Sequence, residues 1–188
     1  LLMRRASLLL GSLLGLGVLT GCADVGYGRS EPTYSSVASH ELVAASYRAA
    51  DALLAQLQVN EPSNGPVLTA TLVNIDALDR SSTLGRMVSE QVSARFSQRG
   101  RSMIEMKLRS GIYVRRTEGE LILTREIAEL ARQQRAQAIL LGTYALGENA
   151  VFVNLKVVHP ITSVVLAASD YALPMNREIR GLLGIQQR

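Results

Sequence analysis

Three β-strands are predicted within one stretch of sequence, AILLGTYALGENAVFVNLKVVHPITSVVLAASDYALP, residues 138–174. The runs rich in apolar and β-branched residues are 138–145, 151–158 and 164–173. Short turns separate them, at Gly147-Glu148-Asn149 and at His159-Pro160. Strands joined by turns this short pair antiparallel with their neighbours in sequence. The stretch therefore predicts an antiparallel meander that ends at Pro174.

Upstream of the meander, helices and strands are predicted to alternate. Apolar residues at helical spacing predict helices over 39–59, 82–98 and 124–135, capped by Ser39, Ser82 and Thr124. Gly100 follows the second helix, where a left-handed cap would end it. The predicted strands are 67–75 and 103–108, with a short extended piece at 112–114. The residues expected to face the core are Leu42, Ala45, Ala49, Leu53, Leu57, Leu68, Ala70, Leu72, Leu84, Val88, Val92, Phe96, Ile127, Leu130 and Ala131.

The order α-β-α-β-α-β-β-β predicts an α/β (α+β) fold, with one mixed sheet, helices packed on it and a C-terminal antiparallel meander. We expect a single domain over residues 40–174. Residues 175–188 are expected to form a loose C-terminal tail with about one helical turn.

The N-terminus has the pattern of a secretory signal peptide. Arg4 and Arg5 precede an apolar run, Ala6 to Val18, of about a dozen residues. A helix that crosses a bilayer needs roughly 20 residues, so the run is too short to span one. A positive flank, a short apolar core and small residues at its end together predict a signal peptide over residues 1–21.

The end of this signal, Leu19-Thr20-Gly21-Cys22, resembles the lipobox of bacterial lipoproteins. That resemblance implies a lipid anchor on Cys22, and Ala23 in place of Asp implies transport to the outer membrane. Residues 22–39 are then the lipidated cysteine and a flexible tether, spanning on the order of 20–25 Å. The alternatives are a plain signal peptide beside a coincidental Cys, or a small buried Cys.

Composition excludes several classes of protein. The 188 residues include one Cys and two His, which rules out an intramolecular disulfide framework and a zinc finger. The net charge of +4 falls to about +2 without Arg4 and Arg5, so the whole chain carries no signature of nucleic-acid binding.

Residues 66–92, 118–127 and 138–145 resemble the FlgO family of flagellar outer-membrane lipoproteins. The most specific pieces are VNIDALDRSSTLGR, the EGE turn with its LTRE helix start, and GTY. The strands at 151–158 and 164–174 fit the same pattern, so the resemblance runs from about Leu42 to Pro174. The turn 159–163 lacks the expected glycine, which leaves the shape of that hairpin open.

The resemblance implies a structural, non-catalytic role in the ring at the outer membrane around the flagellar rod. It implies FlgP and FlgT as partners, a homo-oligomeric ring, and neither a cofactor nor a small-molecule substrate. The alternative is a general envelope lipoprotein that binds a protein or peptidoglycan in assembly or secretion.

The residues that could act in catalysis, metal binding or phosphate binding all have structural interpretations. His40 and His159 lie far apart in sequence, which favours two surface histidines over a metal site. The pairs Asp76/Asp79 and Glu118/Glu120 flank turns, where acidic residues are common. Gly85 is explained by close helix–strand contact, because a phosphate loop needs more glycines and a lysine.

One basic stretch suggests an interface. Residues 80–116 carry nine Arg or Lys against two Glu, while residues 22–79 carry two Arg against seven acids. Since arginine makes forked contacts across protein interfaces, the basic stretch of one copy could meet the acidic part of the next. The candidate interface residues are Arg99, Arg101, Arg115 and Arg116, and a solvated basic face is the alternative. Peptidoglycan or anionic lipid are rival ligands for the same face.

Overall fold

Six strands form one mixed sheet in the computed structural model, which describes residues 40–60, 65–105 and 129–185. The strands are β1 (Val67–Thr69), β2 (Val73–Asn74), β3 (Met103–Glu105), β4 (Ala138–Leu146), β5 (Ala150–Val158) and β6 (Val165–Pro174). The order across the sheet is β3-β1-β4-β5-β6, and β2 also pairs with β4. β1 is parallel to β3 and β4, whereas β4, β5 and β6 are antiparallel. The predicted fold class and its C-terminal meander are confirmed.

Helices cover the two faces of this sheet unequally. They are α1 (Glu41–Asn60), α2 (Thr83–Gln98) and α3 (Arg177–Leu183), with further helical residues at 129–133. The main core lies under α1 and α2, where Leu53 and Phe96 are fully buried against Leu155 of β5. A smaller cluster lies on the opposite face, where Ala131 packs with Leu68 and Ile139. The described residues all belong to one compact unit, Thr33–Arg188.

The predicted strand 67–75 is wrong in its middle, where the chain breaks into β1 and β2. Thr69 pairs with Leu140 of β4 and Val73 pairs with Thr143, so four residue steps on this chain segment lie opposite three on β4. The one extra residue reverses which face of the sheet the following side chains point to. Leu72 therefore lies in the main core, whereas Leu68 and Ala70, predicted to share its side, lie in the smaller cluster. Side chains hold the break: Leu72 N–H donates to Ser89 Oγ (2.9 Å), and Ser81 Oγ donates to Leu72 O (2.7 Å).

The ends of α2 follow the sequence prediction. Ser82 is the N-cap, and its hydroxyl accepts a hydrogen bond from Gly85 N–H at 3.2 Å. Gly100 has a φ of +84°, and its N–H donates to Ser97 O, while Arg101 N–H donates to Phe96 O. This pair of bonds is a Schellman motif, which closes a helix with a left-handed residue.

The other helix ends differ from expectation or lie outside the described residues. At the start of α1, His40 Nδ1 accepts a hydrogen bond from Leu42 N–H (3.3 Å). The predicted cap, Ser39, lies outside the described residues. Of the predicted helix 124–135, the described part is helical to residue 133, and Arg135 has a φ of +54°. The described residues also exclude the predicted signal peptide and tether (1–39) and the predicted elements within 106–128.

The C-terminal segment is more regular than the loose tail that the sequence predicted. After Pro174 it forms α3, capped by Asn176, whose side chain accepts from Ile179 N–H at 2.9 Å. Ile179 is buried in the main core and Gly184 closes the helix with a φ of +74°. A single well-packed isoleucine and two caps explain why this short helix is ordered.

Candidate functional site

The two histidines have structural partners at opposite parts of the described domain. His40 Nε2 lies 2.6 Å from Glu178 Oε2, which joins the start of α1 to α3. His159 Nδ1 accepts from the N–H groups of Ile161 and Thr162, within the β5–β6 turn. Over residues 40–60, 65–105 and 129–185, no three His, Cys, Asp or Glu side chains are grouped as metal ligands would be.

Of the two acidic pairs predicted to flank turns, Asp76/Asp79 is among the described residues and Glu118/Glu120 is not. Asp76 follows Asn74, whose side chain accepts from Asp76 N–H at 2.9 Å in an Asx turn. Both Asp76 and Asp79 are exposed, and Glu118 and Glu120 lie outside the described residues.

Gly85 lies where α2 presses against the chain between β1 and β2. A Cβ atom placed there would be 2.7 Å from Leu72 O, 2.8 Å from Ser81 Oγ and 3.0 Å from Tyr144 Cε1. The close helix–strand contact predicted from the sequence is therefore confirmed.

Arg95 of α2 and Arg99, the C-cap residue that follows α2, converge on one carboxylate of α1. Asp51 accepts two hydrogen bonds from Arg95 (2.9 and 2.8 Å) and two from Arg99 (both 3.0 Å). The Arg95 guanidinium also lies over the Tyr47 ring, 5.1 Å from its centroid. Such forked, charge-assisted bonds fix geometry as well as adding energy. This cluster, hereafter the Asp51 cluster, joins α1 to α2.

The Asp51 cluster changes the interpretation of the candidate interface residues. Arg99 is paired within its own chain, although about half of its side chain is exposed. Arg101 is half-buried beside it, and Arg115 and Arg116 lie outside the described residues. The structure thus brings Arg99 to Asp51, a contact that sequence reasoning missed because the two residues are 48 positions apart.

The hydrogen bonds from Arg95 and then Arg99 lower the pKa of Asp51 from 3.8 to about 2. A depressed carboxyl pKa stabilises the fold above the unfolded value, near 4, and this contribution is lost as pH falls towards 2. About a third of the side chain is exposed, so solvent screening reduces the effect to about 1 kcal/mol.

We predict that Asp51→Asn lowers the melting temperature at pH 7 by about 2–4 °C, because two guanidinium groups lose their shared partner. The difference from the unmodified protein should shrink between pH 4 and pH 2. Thermal unfolding across this range measures it, with Asp79→Asn, an exposed turn residue, as the matched control. An Asp51→Asn deficit that persists unchanged at pH 2 would contradict the assigned role.

A small polar pocket lies between α2 and the carboxyl ends of two parallel strands. Its volume is about 130 Å³, and it is lined by Thr69, Thr71, Arg86, Ser89, Glu90, Ser93 and Glu105. Thr69 and Glu105 are register partners on β1 and β3, so their side chains share this face. In open α/β sheets, ligands commonly bind at such strand ends.

The hydroxyl groups of this pocket are largely engaged within the protein. Ser89 bonds Leu72 N–H and Gly85 O, and Thr69 Oγ1 lies 3.5 Å from Ser93 Oγ. The charged side chains that line the pocket are Arg86, Glu90 and Glu105. Sequence reasoning missed it, although alternate threonines at 69 and 71 and serines four apart at 89 and 93 were a usable signal.

An open patch of the sheet lies on the face away from α1 and α2. Phe152 is 57% exposed on β5, and its register partners on both sides are small, Ala145 and Ala172. Pairs in register share one face of a sheet, so a half-exposed phenyl ring stands on a flat surface there. Exposed aromatic groups of this kind are common in protein interfaces.

No helix among the described residues is long and apolar enough to cross a membrane.

Comparison with protein families decides the classification. The family model described as FlgO protein matches residues 47–178, which is more than two thirds of the chain. This chain belongs to the FlgO family. The matched FlgO region runs from the first half of α1 to the start of α3 and contains the Asp51 cluster, the polar pocket and the meander. No curated protein matches the chain in sequence.

Several solved structures resemble this FlgO-family chain. The C-terminal domain of LpoB from Salmonella enterica superposes with a TM-score of 0.48 at 12% identity, covering 68% of this chain and 97% of that one. A PelC dodecamer from Paraburkholderia phytofirmans has a TM-score of 0.37 at 11% sequence identity, and the match covers 60% of this chain and 72% of the PelC chain. Lipoprotein GNA1162 from Neisseria meningitidis has a TM-score of 0.37 at 12% sequence identity, and the match covers 64% of this chain and 91% of that lipoprotein.

Proposed function

We propose that this FlgO-family chain is a lipid-anchored outer-membrane protein and a non-catalytic component of the flagellar ring at that membrane. The family match over residues 47–178 carries the proposal. The Leu19-Thr20-Gly21-Cys22 sequence supports it independently, because it lies outside the matched region. In this role the protein stabilises the flagellum and supports motility, with FlgP and FlgT as ring partners.

The chemistry of the described residues agrees with a structural role. Phe152 and its alanine neighbours provide an apolar surface that suits a protein partner better than a polar small molecule.

Co-purification tests this role. A ring component should remain with purified flagellar basal bodies and be depleted from peptidoglycan sacculi prepared in parallel. Recovery with sacculi and absence from basal bodies would overturn the flagellar role in favour of a general envelope lipoprotein that binds the cell wall.

We further propose that the basic stretch holds neighbouring copies together, the basic face of one copy meeting the acidic N-terminal part of the next. Arg99 is unsuitable for testing this, because a glutamate there would lie beside Asp51 and disturb the α1–α2 contact. We expect Arg115→Glu/Arg116→Glu to weaken assembly at least about tenfold, since like charges then face each other.

The size of the assembly after crosslinking measures this effect, with Arg132→Glu/Arg135→Glu as a control pair outside the basic stretch. Unchanged assembly, with an unchanged melting temperature, would contradict the proposed contact.

A further inference from the structure

Charges of both signs line the polar pocket beside α2. Arg86 and Glu90 are four positions apart on α2, and Glu105 lies at the end of β3. Within the described chain, neither glutamate side chain forms an ion pair or a hydrogen bond. Arg86 donates from one guanidinium nitrogen to Thr83 Oγ1 at 3.1 Å, and its other N–H groups keep their bonding capacity. The three charged groups can therefore bind a molecule that enters the pocket.

Hydroxyl groups form the buried floor of the same pocket. Thr69 and Ser93 are 7% and 4% exposed, and Thr69 Oγ1 donates to Ser93 Oγ at 3.5 Å. This long contact is the one hydrogen bond of the Ser93 hydroxyl among the described residues, so its own proton is left to donate. A buried hydroxyl with an unused donor is costly unless a ligand or a water completes its bonding. Ser89, in contrast, is fully engaged and holds the floor in place.

We propose that this pocket binds an α-amino-acid group, that is, an ammonium and a carboxylate on one carbon atom. The carboxylates of Glu90 and Glu105 bind the ammonium, and the forked guanidinium of Arg86 binds the carboxylate. The Thr69 and Ser93 hydroxyls complete the bonding at the floor. A cavity of about 150 Å³ holds benzene, so a pocket of about 130 Å³ has room for about five non-hydrogen atoms, the size of this group.

Ions of a single sign suit the pocket less well. An anion alone would meet the two glutamates, and like charges at this distance repel. A metal cation would meet Arg86, and within the part of the chain that the structure describes no three acidic, histidine or cysteine side chains are grouped for a metal. A ligand that carries both charges pairs with all three side chains.

Two sources present this chemical group. One is a free amino acid, and the other is the side chain of a diamino acid in a peptidoglycan peptide. The inference goes beyond the proposed ring role and rests on the pocket alone, so the flagellar experiments and the binding experiment can fail separately.

Isothermal titration calorimetry of the full chain with glycine tests the proposal. We expect a Kd of about 1 mM or tighter. N-acetylglycine lacks the ammonium and glycinamide lacks the carboxylate, so each should bind at least about tenfold more weakly. A peptidoglycan tripeptide that ends in diaminopimelate distinguishes the sources. Tighter binding of the tripeptide than of glycine would support the cell-wall source, and the reverse order would support a free amino acid.

Substitutions connect this binding to the pocket. Arg86→Gln and Glu105→Gln should each weaken glycine binding at least about tenfold, because each removes one charged partner of the ligand. Glu148→Gln and Arg177→Gln, which change exposed charges away from the pocket, are the matched controls and should leave binding unchanged. An unchanged melting temperature without ligand shows that each variant is folded.

Three results would overturn the proposal. The first is the absence of binding with both glycine and the tripeptide. The second is equal binding of glycine and either of its blocked analogues, because recognition of both charges would then be lacking. The third is undiminished glycine binding in Arg86→Gln and Glu105→Gln, which would place the ligand elsewhere on the protein.

Discussion

Replacing Gly85 by alanine should lower the melting temperature by about 4–8 °C. Alanine normally favours a helix over glycine by about 1 kcal/mol, so the intrinsic effect is stabilising. Here the new Cβ would lie 2.7 Å from a main-chain oxygen, Leu72 O, which cannot move as a flexible side chain can. Overpacking of this kind costs about 1–3 kcal/mol or more, and the contact dominates.

Gly181→Ala is the matched control for this prediction. Gly181 also lies inside a helix, α3, but a Cβ atom there meets nothing within 4 Å. We expect a small rise in melting temperature, because only the helix preference acts. Thermal unfolding of both variants measures the pair. A stabilised Gly85→Ala variant would show that α2 does not need the close approach to Leu72.

The second large effect is expected from Cys22→Ala, which should move the protein from the membrane to the soluble fraction. Each acyl CH₂ that is buried in a bilayer contributes about 0.8 kcal/mol, so several chains give stable anchoring and their loss removes it. Membrane fractionation and labelling with radioactive palmitate measure the change. Ser30→Ala, which leaves Cys22 in place, is the control and should stay labelled and membrane-bound. Label and membrane association that persist in Cys22→Ala would contradict the lipobox interpretation.

The elements that the sequence predicts well are those with local signals. The meander has alternating apolar residues and short turns, and the described strands agree with the prediction within one or two residues. Ser82 and Gly100 were predicted as caps because the helix ends need particular residue types at fixed positions. The glycine pattern excludes a phosphate loop and so indicates a close helix–strand contact at Gly85, which the structure confirms.

The features that sequence analysis missed depend on residues distant in the chain. The break between β1 and β2 is held by Ser81 and Ser89, whose hydroxyls reach Leu72 only once α2 has packed. The pairing of Arg99 with Asp51 likewise needs α1 beside α2. No local pattern encodes such contacts, so the arginine pattern alone could not distinguish an internal partner from an interface.

The α3 helix illustrates the same limit at the C-terminus. Its seven residues are too few for stable isolated helix formation. Burial of Ile179 and the contact of Glu178 with His40 supply what the local sequence lacks. A loose tail was therefore the reasonable expectation from sequence alone, and packing against the domain overrides it.

Deletion of the gene, scored for swimming and for retention of filaments, tests the proposed flagellar role most directly. We predict that the deletion strain swims poorly or sheds filaments, that the unmodified gene restores both properties, and that the Cys22→Ala gene restores neither. Ser30→Ala should restore both. Normal swimming with intact filaments in the deletion strain would contradict the account and would leave an envelope protein whose partner lies elsewhere.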